Sequence, residues 1–205
     1  MNFLGHLALA APHKALMVGG FLGDFVKGDL NSTSLANQYP ENIKSGIRLH
    51  RRIDARSDSH SSIAKLKAEL PKTWARYAGI LADLYCDHLI ANPNHNLLDK
   101  PISDFANQSY LILQQEKAHF NERAERVFTL MHQGRWLEKY ADIDFTAASL
   151  ERIGMRFNFA NPLFESAAII KRYKNTLDQC CQSLYADMQK VVAEWQAEQI
   201  QQKPI

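Results

Sequence analysis

His50 and Asp54, in the segment RLHRRIDARSD, stand four residues apart. On a helix, at about 100° per residue, that spacing puts them about 40° apart and one turn along the side that also carries Ile43 and Ile47. A neutral imidazole nitrogen and a hard carboxylate oxygen so placed can hold one divalent cation from a rigid support. By itself the pair also reads as an ordinary i,i+4 contact. The next apolar run adds Asp83-Leu-Tyr-Cys-Asp87-His88, with His88 among Leu84, Leu81 and Tyr77 and Asp87 about 100° round from it. Two such helices packed together would converge two imidazoles and several carboxylates. Burying that many ionisable groups unpaired costs several kcal/mol, so the expectation is a bound cation rather than a satisfied polar core.

Aspartate is a poor helix former beside glutamate, and the acids are distributed unevenly by type: six Asp and two Glu through Ile90, then six Asp and eight Glu. Asp54, Asp58, Asp83 and Asp87 inside predicted helices therefore require caps, turns or a ligand. Two further candidates come earlier, His6 in NFLGHL and Asp24 in GGFLGDFVKG. For His6 the alternative is a core histidine bonded to a backbone carbonyl, and for the glycines it is close helix packing. Asp24 stands among Phe21, Leu22, Phe25 and Val26, where it must either ligate or cap.

Around His50 the chain is locally basic, with eight Lys or Arg against three acids from Ile43 through Lys72. Arg48, Arg52 and Arg56 form a stripe opposite the His50 side, either a solvated face or one that steers an acidic partner and weakens with salt. Arg51, about 100° from His50, is better placed to reach an anion at the rim of the site.

These residues need helices to position them, and the apolar period of three and four supplies helices almost throughout. One long helix, with room for a kink, is predicted from Glu41 to Glu69, ending before Pro71. A second runs from Lys72 to Ile90 and stops at Asn92-Pro93. Others are expected at Met17–Lys27, Ile102–Lys117, Glu122–His132, Asp144–Met155 and Leu163–Gln199, the last breaking into two. Trp136 and Tyr140 share a helical face and belong to the core, and the polar end QAEQIQQKPI reads as a fraying tail. No repeat or linker divides the chain, so one all-α domain over 1–205, a helical bundle, is predicted. At 205 residues, 46% hydrophobic and 22% charged, it is long and apolar enough to bury a core without staples. Net charge of +2 gives no global pull toward nucleic acid. The apolar N-terminus is interrupted by His6, His13 and Lys14 well short of a membrane span. Three cysteines, two of them adjacent, suit a reducing compartment, so the protein is expected to be cytoplasmic with no membrane partner.

In NFLGH, GGFLGDFVKG, GIRLHRRIDARSD, DLYCDH and RWLEKYADIDF, in that order along most of the chain, the sequence resembles the acyl carrier protein phosphodiesterases, distant relatives of the HD-type metal phosphohydrolases. Gly5 stands where alanine is expected, Ser57 where threonine is usual, and Asp87-His88 reverses the usual dipeptide. The resemblance implies an HD-domain-like helical fold. It implies hydrolysis of the link between 4′-phosphopantetheine and a serine of holo acyl carrier protein, with Mn²⁺, or Mg²⁺, as the ion. The implied ligands are His6, Asp24, His50, Asp54, Asp87 and His88, more than one ion needs, with Asp58 and Asp83 bridging metals or standing behind the ligands. Whichever of Asp54, Asp58 and Asp83 lies outside the four residues that close on the ion would orient a water for in-line attack on phosphorus. Lys27 and Arg51 would offset charge on the phosphate oxygens. Arg48, Arg52 and Arg56 would meet the acidic carrier. The alternatives are a phosphohydrolase acting on a nucleotide or another small phosphoester, and a non-catalytic module that binds an acidic partner.

Overall fold

The computed structural model describes residues 1–201, apart from the side chains of Ser34 and Ala36. Among the described residues it is all-α, with no strand. The helices are α1 (Phe3–Ala10), α2 (Lys14–Leu22), α3 (Thr33–Ala36), α4 (Glu41–Asp58), α5 (Ser61–Glu69), α6 (Lys72–Ala75), α7 (Ala78–Ala91), α8 (Ile102–Gln115), α9 (Glu122–Gln133), α10 (Trp136–Lys139), α11 (Ile143–Gly154), α12 (Ser166–Arg172) and α13 (Lys174–Gln201). Short 3-10 turns lie at Pro93–His95, Lys117–His119 and Pro162–Glu165. Residues 202–205, the end of the expected tail, lie outside the described residues. No helix among the described residues is long and apolar enough to cross a membrane.

Four expectations change in detail, the first being that the helix expected over Met17–Lys27 runs from Lys14 to Leu22. The run predicted as one helix from Glu41 to Glu69 is two, because α4 ends at Asp58 and His60 starts α5 by accepting from the Ser62 N–H. The run from Lys72 to Ile90 breaks at Arg76-Tyr77. The apolar N-terminus forms a helix of its own, α1, although Asn2 offers it no side-chain cap and its first turn holds no acid.

α2 and α4 pack most closely of all the pairs. Gly19 makes this approach feasible: a Cβ there would lie 2.4 Å from the Ile43 carbonyl oxygen and 2.5 Å from Gly46 Cα. Sequence thus sets a backbone-to-backbone distance that larger residues would forbid. α1 lies across this pair and against α7, which is apolar on nearly every side and threads the middle of the molecule. α13 runs along α7, α4 and α5 and is tied to them by Arg52 with Glu198, His60 with Asp187, and Tyr85 donating to Asp178. The core is filled by Trp74, Tyr85, Tyr110, Phe21 and Phe128. Tyr140 joins it and Trp136 packs against it, as their shared face predicts.

Candidate metal centre

Three helices bring their polar groups to one point. α1 contributes His6, α4 contributes His50 and Asp54, and the turn after α2 contributes Asp24. His6 Nε2 lies 3.1 Å from Asp54 Oδ1, His50 Nε2 lies 3.0 Å from Asp54 Oδ2, and Asp24 Oδ1 is 4.0 Å from the same His50 nitrogen. The two imidazoles stack with ring centroids 3.9 Å apart. Both rings are buried, at 2% and 3% exposure, while both carboxylates reach toward solvent. The ligand atoms of His6, His50 and Asp54 all fall within 4.8 Å of one another.

The hydrogen bonds test whether this set suits a cation. His50 Nδ1 is 2.8 Å from the Gly20 carbonyl oxygen, which can only accept, so Nδ1 carries the proton. In a neutral ring Nε2 is then a bare lone pair, and it faces carboxylate oxygens that are also acceptors. Burial, with the neighbouring His50, pushes His6 below its ordinary pKa and so toward the neutral ring. His6 Nδ1 is buried with no hydrogen-bond partner. Burial pushes the Asp54 carboxyl up, but hydrogen bonds from His50 and His6 in their protonated form, with the attraction of their charge, outweigh that and hold it well below the usual carboxylate range; with neutral rings a cation would supply that positive charge instead. Two neutral imidazoles and an ionised carboxylate are the donor set a divalent transition ion takes. The imidazole Nδ1–H bonded to a carbonyl is the usual orienting contact behind such a ligand. The residues present fit the ion.

Two residues of the implied ligand set do not join this cluster. Asp87, fully buried on α7, instead accepts from the backbone N–H groups of Asn2 (3.2 Å), Leu4 (2.8 Å) and Gly5 (3.0 Å). It is the missing N-cap of α1, supplied from far along the chain. Burial pushes its carboxyl up to about 7, although the Met1 amine and the three N–H groups pull it down. His88 bonds through Nδ1 to the Tyr140 carbonyl at 2.8 Å and leans toward Tyr85, on another side of α7. Asp87 therefore serves the site through α1, by holding the helix that carries His6.

Asp58 and Asp83 flank the centre. Asp58 stands one turn beyond Asp54 on α4, and burial, with Asp83 and Asp54 nearby, raises its carboxyl above the ordinary value. Asp83 pairs with the Met1 amine at 2.6 Å. Arg51, half-buried, donates to the Val26 carbonyl at 2.9 Å, which fixes its guanidinium beside the segment holding Asp24 and the exposed Lys27. The arginine stripe is less available than its spacing suggests. Arg48 is held by Glu41 and Asn31. Arg52 makes a two-pronged pair with Glu198 at 2.6 and 2.8 Å and lies over the Trp195 ring, and Arg56 stays exposed. Sequence reasoning missed Gly20 and Gly23. The carbonyl of Gly20 orients His50, and at Gly23 a Cβ would fall 2.2 Å from the His50 ring. Their signal was the run GGFLG, read there as packing alone.

A family model described as acyl carrier protein phosphodiesterase matches residues 1–188. A protein named acyl carrier protein phosphodiesterase from Pectobacterium atrosepticum is 30% identical over 157 residues, which cover 76% of this chain and 79% of that protein. Another of that name from Yersinia pestis is 27% identical over 191 residues, covering 93% and 96%. No solved structure matches the chain.

Proposed function

The chain belongs to the acyl carrier protein phosphodiesterase family, and on that premise we propose that it hydrolyses the phosphodiester joining 4′-phosphopantetheine to a serine of holo acyl carrier protein. The products are apo-protein and free phosphopantetheine. The relatives' name supports the substrate. The observation that carries the chemistry is the convergence of His6, His50 and Asp54, whose ligand atoms lie within 4.8 Å of one another, with Asp24 4.0 Å from His50 Nε2. We assign Mn²⁺, or Mg²⁺, to that point, held by His6, His50 and Asp54 with Asp24 beside them. When bound, the ion supplies Lewis-acid polarisation of a phosphate oxygen and a lowered pKa for water. The same pairing of His and Asp on adjoining helices supports the kinship to HD-type phosphohydrolases.

The chain's own groups do the rest. Asp58, more basic than an ordinary carboxylate, accepts the proton of the attacking water. The water oxygen bonds to phosphorus as the bond from phosphorus to the serine oxygen breaks, and the serine oxygen leaves as an alkoxide that takes a proton from solvent to become the hydroxyl. Arg51, pinned beside the Asp24 segment, and Lys27 offset the negative charge on the nonbridging oxygens. Incubation with Mn²⁺ should lower the mass of holo acyl carrier protein by one phosphopantetheine, and chelator or Asp54→Ala should abolish the change. An unchanged carrier mass, with turnover of a free nucleotide, would replace this reading with that of a small-phosphoester hydrolase. Undiminished turnover in Asp54→Ala would remove the assigned centre.

A further inference from the structure

Beside the metal centre, between the end of α4, α5 and the start of α7, lies a solvent-open cavity of about 340 Å³. We infer that this cavity receives the pantetheine arm, so that the diester lies across the centre with its carrier side toward Lys27 and Arg51 and its arm toward Gly79. The inference rests on the phosphodiesterase reading and adds to it the direction in which the substrate lies.

Four observations support it. Asp58 and Asp83 line the cavity, and Asp58 stands one turn beyond Asp54 on α4, so a phosphate at the cluster lies next to the cavity. Its volume falls within the roughly 300–1,000 Å³ common for small-molecule sites. Ser57, only 4% exposed and lining the cavity, has its Oγ buried with no hydrogen-bond partner. Such a hydroxyl is costly to leave unpaired, and a turn of its side chain toward the cavity would pair it with a ligand's polar group. Finally, Gly79 lines the same space, and a Cβ built there meets nothing within 4 Å, so the wall is open where a side chain would otherwise stand.

The lining also selects the occupant. Two carboxylates in the wall disfavour a second anion, whereas the arm beyond the phosphate is neutral, alternating methyl groups with a hydroxyl and amides. Ile63 and Ala64 offer apolar wall, while Ser57, His60 and Lys67 offer polar partners. The cavity of about 330 Å³ lined by Leu9, Met17, Phe105 and Tyr185 includes neither Asp58 nor Asp83 and carries no comparable orphan.

The test is titration of 4′-phosphopantetheine into the Mn²⁺-loaded protein, followed by calorimetry and by amide chemical shifts. Wild type should bind, with shifts at Ser57 and Gly79. Gly79→Leu, which places a side chain in open space on a helix that tolerates it, should weaken binding by about tenfold or more. It should keep wild-type Mn²⁺ affinity and thermal midpoint. Ser57→Ala should weaken binding several-fold, and Ala193→Leu, which crowds the other cavity, should leave it unchanged. Wild-type binding by Gly79→Leu, shifts clustered at Leu97 and Tyr185, or no binding by wild type would each overturn the assignment. Binding at Gly79 without release of the group from holo carrier would sink the phosphodiesterase reading and leave the cavity assignment standing. Release from holo carrier with an unchanged KM in Gly79→Leu would do the reverse.

Discussion

Gly23→Ala is predicted to disable the metal centre without altering any group that takes part in the chemistry. Gly23 sits just past α2 at φ −54° and ψ −34°, a backbone conformation that any residue adopts, and alanine there should gain up to about 1 kcal/mol over glycine. Its Cβ, however, would lie 2.2 Å from His50 Cγ and Cδ2 and 2.7 Å from Nδ1. Ordinary contact begins near 3.4 Å, so the ring must retreat by more than an ångström. It has nowhere to go, because His6 is stacked on it at 3.9 Å and the Gly20 carbonyl holds its Nδ1. Overpacking of this kind costs about 1–3 kcal/mol, which leaves a net loss of up to about 2 kcal/mol after the full backbone gain. For a chain of this length that lowers the thermal midpoint by up to about 8 °C. Metal ligands tolerate errors of about 0.2 Å, so Mn²⁺ affinity should fall by about 10–100-fold and hydrolysis of holo carrier with it. The assay is thermal unfolding with chelator and over a Mn²⁺ series, alongside carrier mass, with Gly79→Ala as the unclashing control for stability. If Gly23→Ala retains wild-type stability and Mn²⁺ affinity, His50 is not seated over Gly23 and the packing account of the site is wrong.

Asp54→Asn should lower the midpoint of chelated protein, because its ionised carboxylate pairs with His6 and His50, and should also erase the further rise in midpoint that Mn²⁺ brings. A Mn²⁺-dependent rise of wild-type size in the variant counts against the ligand set. Asp87 has a folded carboxyl near 7 against an ordinary value of about 3.9, so the folded state holds the extra proton and stability should fall by up to about 4 kcal/mol as pH rises from about 4 to 7. Urea midpoints at pH 5 and pH 8 should show that slope in wild type and lose it in Asp87→Asn; equal slopes would mean that Asp87 does not titrate between them. Lys27→Ala and Arg51→Ala should raise KM for holo carrier, most at low salt, whereas Arg52→Ala should leave KM alone and speed hydrogen exchange at the end of α13. A KM effect for Arg52→Ala matching that of Arg51→Ala would restore the stripe as a carrier surface.

The helical fold was legible because period and proline punctuation both survive in this sequence, and the boundaries at Ile102, Glu122 and Ile143 agree to within two residues. α1 was not legible because local signals mark a helix start, whereas its cap is Asp87, more than eighty positions away. The break after Asp58 escaped for a related reason. No glycine or proline marks it, and a histidine ring does the capping while its other nitrogen reaches Asp187 on α13. The ligands on α4 could be read because that helix has one buried side, so pointing inward names a single destination. α7 is buried nearly all round, and there an inward-facing Asp87 and His88 can face different neighbours. One faces the start of α1 and the other the Tyr140 carbonyl.

The ligands alone do not make the centre, because imidazoles on α1 and α4 can share a carboxylate only if α2 and α4 meet at backbone distance. The run GGFLGD accomplishes this in six positions. Gly19 lets α2 close on Gly46, and that closeness brings the Gly20 carbonyl within 2.8 Å of His50 Nδ1, which orients the ring and turns Nε2 toward Asp54. Gly23 then clears the space the ring occupies, and Asp24, next in the chain, arrives 4.0 Å from that nitrogen. Each step requires the one before it. A side chain added at Gly19 would therefore move the Gly20 carbonyl away from His50, and damage at a glycine with no chemistry of its own should resemble damage at a ligand.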